Sequence, residues 1–120
     1  MIRNLKSEVL RLKMTVIWSW QGWRAAWATE KTLRQWTLAN AASVALALLL
    51  DLSPVERALI VGFGLLVLVA ELLNTAIEET VNRISFVDHP LSKKAKDIGS
   101  AAVAVTAIAA GLVWVIVLVG

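Results

Sequence analysis

The run Ala58–Ala70, ALIVGFGLLVLVA, has the apolar character of a segment made for lipid. It leads straight into ELLNTAIE, which sets a carboxylate, an amide and a second carboxylate at Glu71, Asn74 and Glu78. A helix from Pro54 to about Ile84 is some 46 Å long at 1.5 Å per residue, longer than the roughly 30 Å hydrocarbon layer, so its polar end protrudes. With 58% apolar residues in 120, a single domain (1–120) embedded in a bilayer explains the composition better than a soluble one. The absence of Cys excludes disulfides, thiolate metal sites and thiol nucleophiles. Any chemistry falls to carboxylates, amides, hydroxyls and the one His.

The remaining chain divides around that helix. Leu5, Val9, Leu12, Val16, Trp20, Trp23 and Trp27 recur at spacings of four and three, which predicts an amphipathic helix over about 1–28. Lys6, Arg11 and Lys13 lie off its apolar stripe, and the Trp rings suit the headgroup region, so this helix is expected to lie on a membrane. The first fourteen residues are charged throughout and lack a signal peptide's apolar core, so they are taken as part of the mature protein. A first span is expected at 31–51, a second at 54–84 and a third at 91–119, the last uncharged from Ile98 onward. Ser53, Pro54 and Glu56 have the spacing of a capping box with proline at the first helical position.

Of the Lys and Arg residues, seven precede Trp36, one (Arg57) lies near the first hairpin, and four lie between Arg83 and Lys96. The positive-inside rule then places the N-terminus and the second loop in the cytoplasm and the C-terminus outside. Gly99, Ala102, Val103, Thr106, Ala107, Ala110 and Gly111 give the third span a small-residue face. Three thin helices bury a polar cluster poorly alone, which points to an oligomer. The net charge of +3 suits an anionic membrane surface, and nothing suggests nucleic acid.

Glu71, Thr75, Glu78 and Asn82 are spaced four, three and four apart, one polar stripe on a helix, with Asn74 just beside it. Intramembrane acids cost at least about 2.5 kcal/mol each, so a pair on one face marks a functional site by default. With no basic residue inside the span, the two carboxylates call for a visiting cation or proton. A proton or small-cation transporter satisfies that requirement, as does a divalent metal carrying a phosphorylated ligand. A non-catalytic membrane subunit, using Glu and Lys as inter-subunit partners, is a third reading. Glu30, Lys96 and Asp97 are expected at the same membrane face and favour phosphate chemistry, for which Mg²⁺ takes one or two carboxylates and Lys supplies a point charge. No GxxxxGK(S/T) loop or protein-kinase signature is present.

The blocks AAWATEKTLRQ, AELLNTAIEETVNRI and HPLSKKAKDIGSAAV resemble the three signature blocks of the small prokaryotic integral-membrane diacylglycerol kinase family, and the resemblance spans nearly the whole chain. It implies an all-α homotrimeric bundle of three-span subunits with an amphipathic surface helix, in the bacterial cytoplasmic (inner) membrane. It implies transfer of the γ-phosphate of ATP, with Mg²⁺, to a lipid hydroxyl, giving phosphatidic acid from diacylglycerol. By position, Glu71 matches the general base, and Glu30 and Glu78 match the metal-binding acids, which also meet the nucleotide. Arg11, Trp18, Lys96, Asp97 and the loop residues Val87, Asp88 and His89 match the nucleotide side. Arg11, Arg24, Trp27, Glu71, Asn74, Ser100 and Trp114 match positions near the lipid. Trp18 stands where many members have Tyr, Asn82 where many have Asp, and Pro90 where the enterobacterial form has Glu. NTAIE and HPL also resemble members that phosphorylate undecaprenol, whereas DIGSAAV resembles the proteobacterial diacylglycerol kinases.

Overall fold

The computed structural model describes the backbone of residues 2–120 and the side chains from Asn4 onward. Four helices account for nearly all of it: α1 (Ile2–Thr29), α2 (Lys31–Leu49), α3 (Pro54–Ile84) and α4 (Pro90–Val119). They fall into two compact units divided between Glu30 and Lys31.

The first unit is α1, which runs through Gly22 without a break. Its apolar stripe is open: Leu5, Val9, Leu12, Val16 and Trp20 are all exposed. The rings of Trp23 and Trp27 stack one helical turn apart, centroids 5.8 Å from each other.

In the second unit α3 is the central helix, packed on both α2 and α4. Its start is fixed locally. Ser53 Oγ accepts from the Glu56 amide (3.1 Å), Glu56 Oε1 accepts from the Ser53 amide (2.8 Å), and Pro54 fills the first turn, where a missing N–H costs nothing. Arg57, one turn on, reaches back across the hairpin: Nε donates to Ala47 O and Nη2 to Leu50 O, both at 2.9 Å. Ala47 O is a carbonyl that the end of α2 leaves without an intrahelical partner and Leu50 O lies just past that end, where a cation also suits the helix dipole.

Of the buried positions on α3, Ile60, Gly64, Val67, Glu71 and Asn74 follow a four-three alternation, with Thr75 beside it and Val81 seven residues beyond Asn74, a seam of the coiled-coil type. Toward the hairpin the seam is apolar and small, with the Asn40 side chain from α2 lying directly on Gly64. The Trp114 indole N–H of α4 donates to Ser43 Oγ of α2 (2.8 Å), tying the two outer helices together.

Only Leu33, Ala47, Ile60, Val67, Val81 and Val103 form a buried apolar core among the described residues, while Ile98, Val105, Ile108, Leu112 and Ile116 of α4 stand open. So small a core beside so much exposed apolar surface suits a chain whose solvent is hydrocarbon. Among the described residues α3 and α4 are long and apolar enough to cross a membrane. α2, with Lys31, Arg34, Gln35 and Asn40 in its first half, is not one of that pair.

Candidate active site

Past Val67 the α3 seam changes chemistry without changing period. Glu71 (4% exposed), Asn74 (9%) and Thr75 (7%) are buried where the seam packs, and Glu78 is half-buried one turn further. Asn74 Nδ2 lies 3.4 Å from Glu78 Oε1, a long contact that sets the donor end of the amide toward the carboxylate. Asn74 Oδ1 is buried and accepts no hydrogen bond.

α4 enters this region with its first turns. His89 is its N-cap, Nδ1 accepting from the Leu91 amide (3.1 Å), which leaves the ring proton of the neutral imidazole on Nε2. From there Lys96, Gly99 and Val103 fall on one face by three-four spacing, with Gly99 and Val103 buried. Lys96 Nζ donates to Asn82 Oδ1 (2.8 Å), which brings a cation to the polar end of the α3 seam. Asp97 instead accepts from Lys93 Nζ (2.6 Å) in an exposed i,i+4 pair, a class of contact that adds little stability.

An open cavity of about 700 Å³ lies at the α3–α4 loop, lined by Asn82, Val87, Asp88, His89, Lys96 and Asp97 among others. Its size is that of a small-molecule site. The structure thus brings together, within the second unit, two sets of residues singled out from sequence: Glu71, Asn74 and Glu78 on the seam, and Val87, Asp88, His89, Lys96 and Asp97 around the cavity. Ser100 is exposed on α4, and Trp114 lies toward the far end of that helix, its N–H engaged by Ser43.

The other candidates belong to the first unit. Arg11 forms an exposed ion pair with Glu8 (2.6 Å), Trp18 is 59% exposed, Arg24 is exposed, and Trp27 stacks on Trp23. Glu30, just past the end of α1, is half-buried, and its amide donates to Ala26 O (2.7 Å). Two residues of the site were not singled out as such from sequence. Asn82 had a signal in its place on the polar stripe; Gly99 had none beyond its membership of a small-residue face.

A central helix that buries a carboxylate on its packing seam, with a second half-buried one turn beyond, beside a cavity edged by a lysine, defines a helical membrane protein with an acid-and-amide site. The chain belongs to the prokaryotic diacylglycerol kinase family, whose pattern it matches over residues 17–118. It is 47% identical over 103 residues to the diacylglycerol kinase of Pseudomonas aeruginosa, covering 86% of this chain and 84% of that protein. It is 44% identical over 101 residues to that of Escherichia coli K12, covering 84% and 83%. A more distant relative, the diacylglycerol kinase of Helicobacter pylori, is 35% identical over 104 residues, covering 87% and 81%.

Proposed function

We propose that this chain acts as an ATP-dependent diacylglycerol kinase, transferring the γ-phosphate of ATP to the lipid hydroxyl to give phosphatidic acid. The observation that carries the reading is the α3 seam, which holds a buried carboxylate, Glu71, and runs on through Asn74 and Glu78 toward Lys96 and the open cavity. Diacylglycerol cannot leave the bilayer and ATP cannot enter it. A site joining them has to run from an apolar depth to water, as this seam does.

In the proposed mechanism Glu71 accepts the proton of the lipid hydroxyl as its oxygen attacks the γ-phosphorus, and ADP departs. Lys96 offsets charge on the transferred group, since positioning and electrostatics dominate this reaction. Val87, Asp88, His89 and Asp97 edge the nucleotide. On the family pattern Arg11 and Trp18 join the nucleotide side, while Arg11, Arg24, Trp27, Asn74, Ser100 and Trp114 serve the lipid.

Mg²⁺ needs only one or two carboxylates and completes its shell with phosphate oxygens and water. Glu78 offers hard carboxylate oxygens, and no group of three His, Cys, Asp or Glu side chains is gathered among the described residues. That donor set fits Mg²⁺ held largely by its nucleotide, with Glu78 and, on the family pattern, Glu30 as the protein's carboxylates. Bound there, the ion would neutralise charge on the phosphates.

The same reading makes residues 1–120 a single membrane domain of the bacterial inner membrane. In it α1 lies on the cytoplasmic surface, α2 serves as a third span, the C-terminus is outside, and three chains assemble. The test is transfer of labelled γ-phosphate from Mg-ATP to micelles holding both dioleoylglycerol and undecaprenol. Label in phosphatidic acid is the expected result, and label in undecaprenyl phosphate would reassign the acceptor. Label in neither, from folded protein, returns the carboxylates to a transporter.

A further inference from the structure

No glycine among the described residues has a positive φ, so backbone conformation does not call for glycine at any of them. Space does at Gly99. A β-carbon built there would fall on Asn74 Oδ1, with Asn74 Cγ 3.4 Å and Ile77 Cδ1 3.5 Å away. Gly22, Gly62 and Gly111 have open space at the same point. Gly64 is also covered by an amide, that of Asn40, but the Asn40 N–H goes to the Trp36 carbonyl of its own helix. Asn74 instead points its N–H at an acid of the site.

The Glu78 carboxylate favours this orientation of the Asn74 amide. Exchanging its oxygen and nitrogen would set a carbonyl oxygen against the Glu78 carboxylate, with no donor between them. With Nδ2 committed to Glu78, Oδ1 is left buried against Gly99 with no donor of its own. We infer that Gly99 is a positioning residue for phosphoryl transfer. Its missing β-carbon lets the Asn74 amide lie between Glu78 and α4, Nδ2 orienting the carboxylate and Oδ1 kept as an acceptor for a donor that arrives with the substrates. This inference rests on the kinase reading above.

The experiment is a double-mutant cycle on kcat, read with the melting temperature in the same micelles. Gly99→Ala is expected to lower kcat about tenfold or more, because displacing an oriented site group by an ångström is enough for that. Its melting temperature should hold or rise, alanine being the better helix former. Asn74→Ala should also lower kcat, and adding Gly99→Ala to it should cost nothing further, since both act through one amide. If Gly99→Ala does not fold, the double variant, in which the space is vacant, should fold, and failure of both overturns the contact. Full activity of Gly99→Ala, or an equal loss with and without the Asn74 amide, overturns the inference while the kinase reading stands. A wild-type chain that phosphorylates neither lipid overturns the kinase reading itself.

Discussion

Lys96 shows how much of this site depends on single partners. Its ammonium is held by Asn82 Oδ1, an acceptor that fixes its position and leaves its other N–H donors for the phosphate of the proposed reaction. Asn82→Leu keeps the bulk and removes the acceptor; kcat should fall about tenfold, the value of one hydrogen bond to a charged group, with Lys96→Met more severe. Asn82→Asp restores an acceptor and should keep kcat within about threefold of wild type, steady-state phosphorylation of dioleoylglycerol being the measurement for all three. Glu71→Gln preserves shape and removes the proposed base, so turnover should drop by a factor of about 100 or more while nucleotide affinity, followed by ATP-analogue binding, changes little. Equal loss of both would argue against Glu71 as the base. The acids of the stripe were legible in sequence because helical period alone puts Glu71 and Glu78 on one line. The Asn82–Lys96 contact was not, because it depends on the register of α4 against α3, which neither helix encodes by itself.

At the level of elements, the hairpin between α2 and α3 was half legible. The capping box of Ser53 and Glu56 is written within four residues and can be read directly. Arg57, from sequence, is one more charge to weigh in the topology; in the fold its guanidinium closes the carbonyl end of α2 through Ala47 and Leu50. That role requires the chain to reverse direction, so no local pattern announces it. Arg57→Met should cost about 2 kcal/mol in a denaturant titration, the order of two charged hydrogen bonds net of solvation. Phosphoryl transfer per folded molecule should be unchanged, because the hairpin lies at the opposite end of α3 from the loop cavity. Ser53→Ala should cost less, about 1 kcal/mol, by loss of the cap alone. The apolar order of α2 was the weakest part of the sequence reading, and its polar first half is the physical reason.

For the whole molecule, composition was enough to name the solvent, and the small buried core agrees with it. On the proposed assembly, lipid and other copies cover the open faces of α3 and α4. If three chains assemble, the detergent-corrected mass of the active particle should equal three protein chains, and a monomeric active particle would refute that assembly. The single seam on α3 also makes the helix a ruler. Packing phase and chemical phase are one and the same from Ile60 to Val81, so inserting one residue between Val67 and Glu71 would turn the acids about 100° out of the bundle while leaving the hairpin half in place. Inserting seven would restore the angle but move the acids about 10 Å along the membrane normal, away from the depth at which a lipid hydroxyl can meet a nucleotide. Insertions in this chain should therefore be tolerated only in the two loops and at the termini, because the stretch between hairpin and acid has only one workable length.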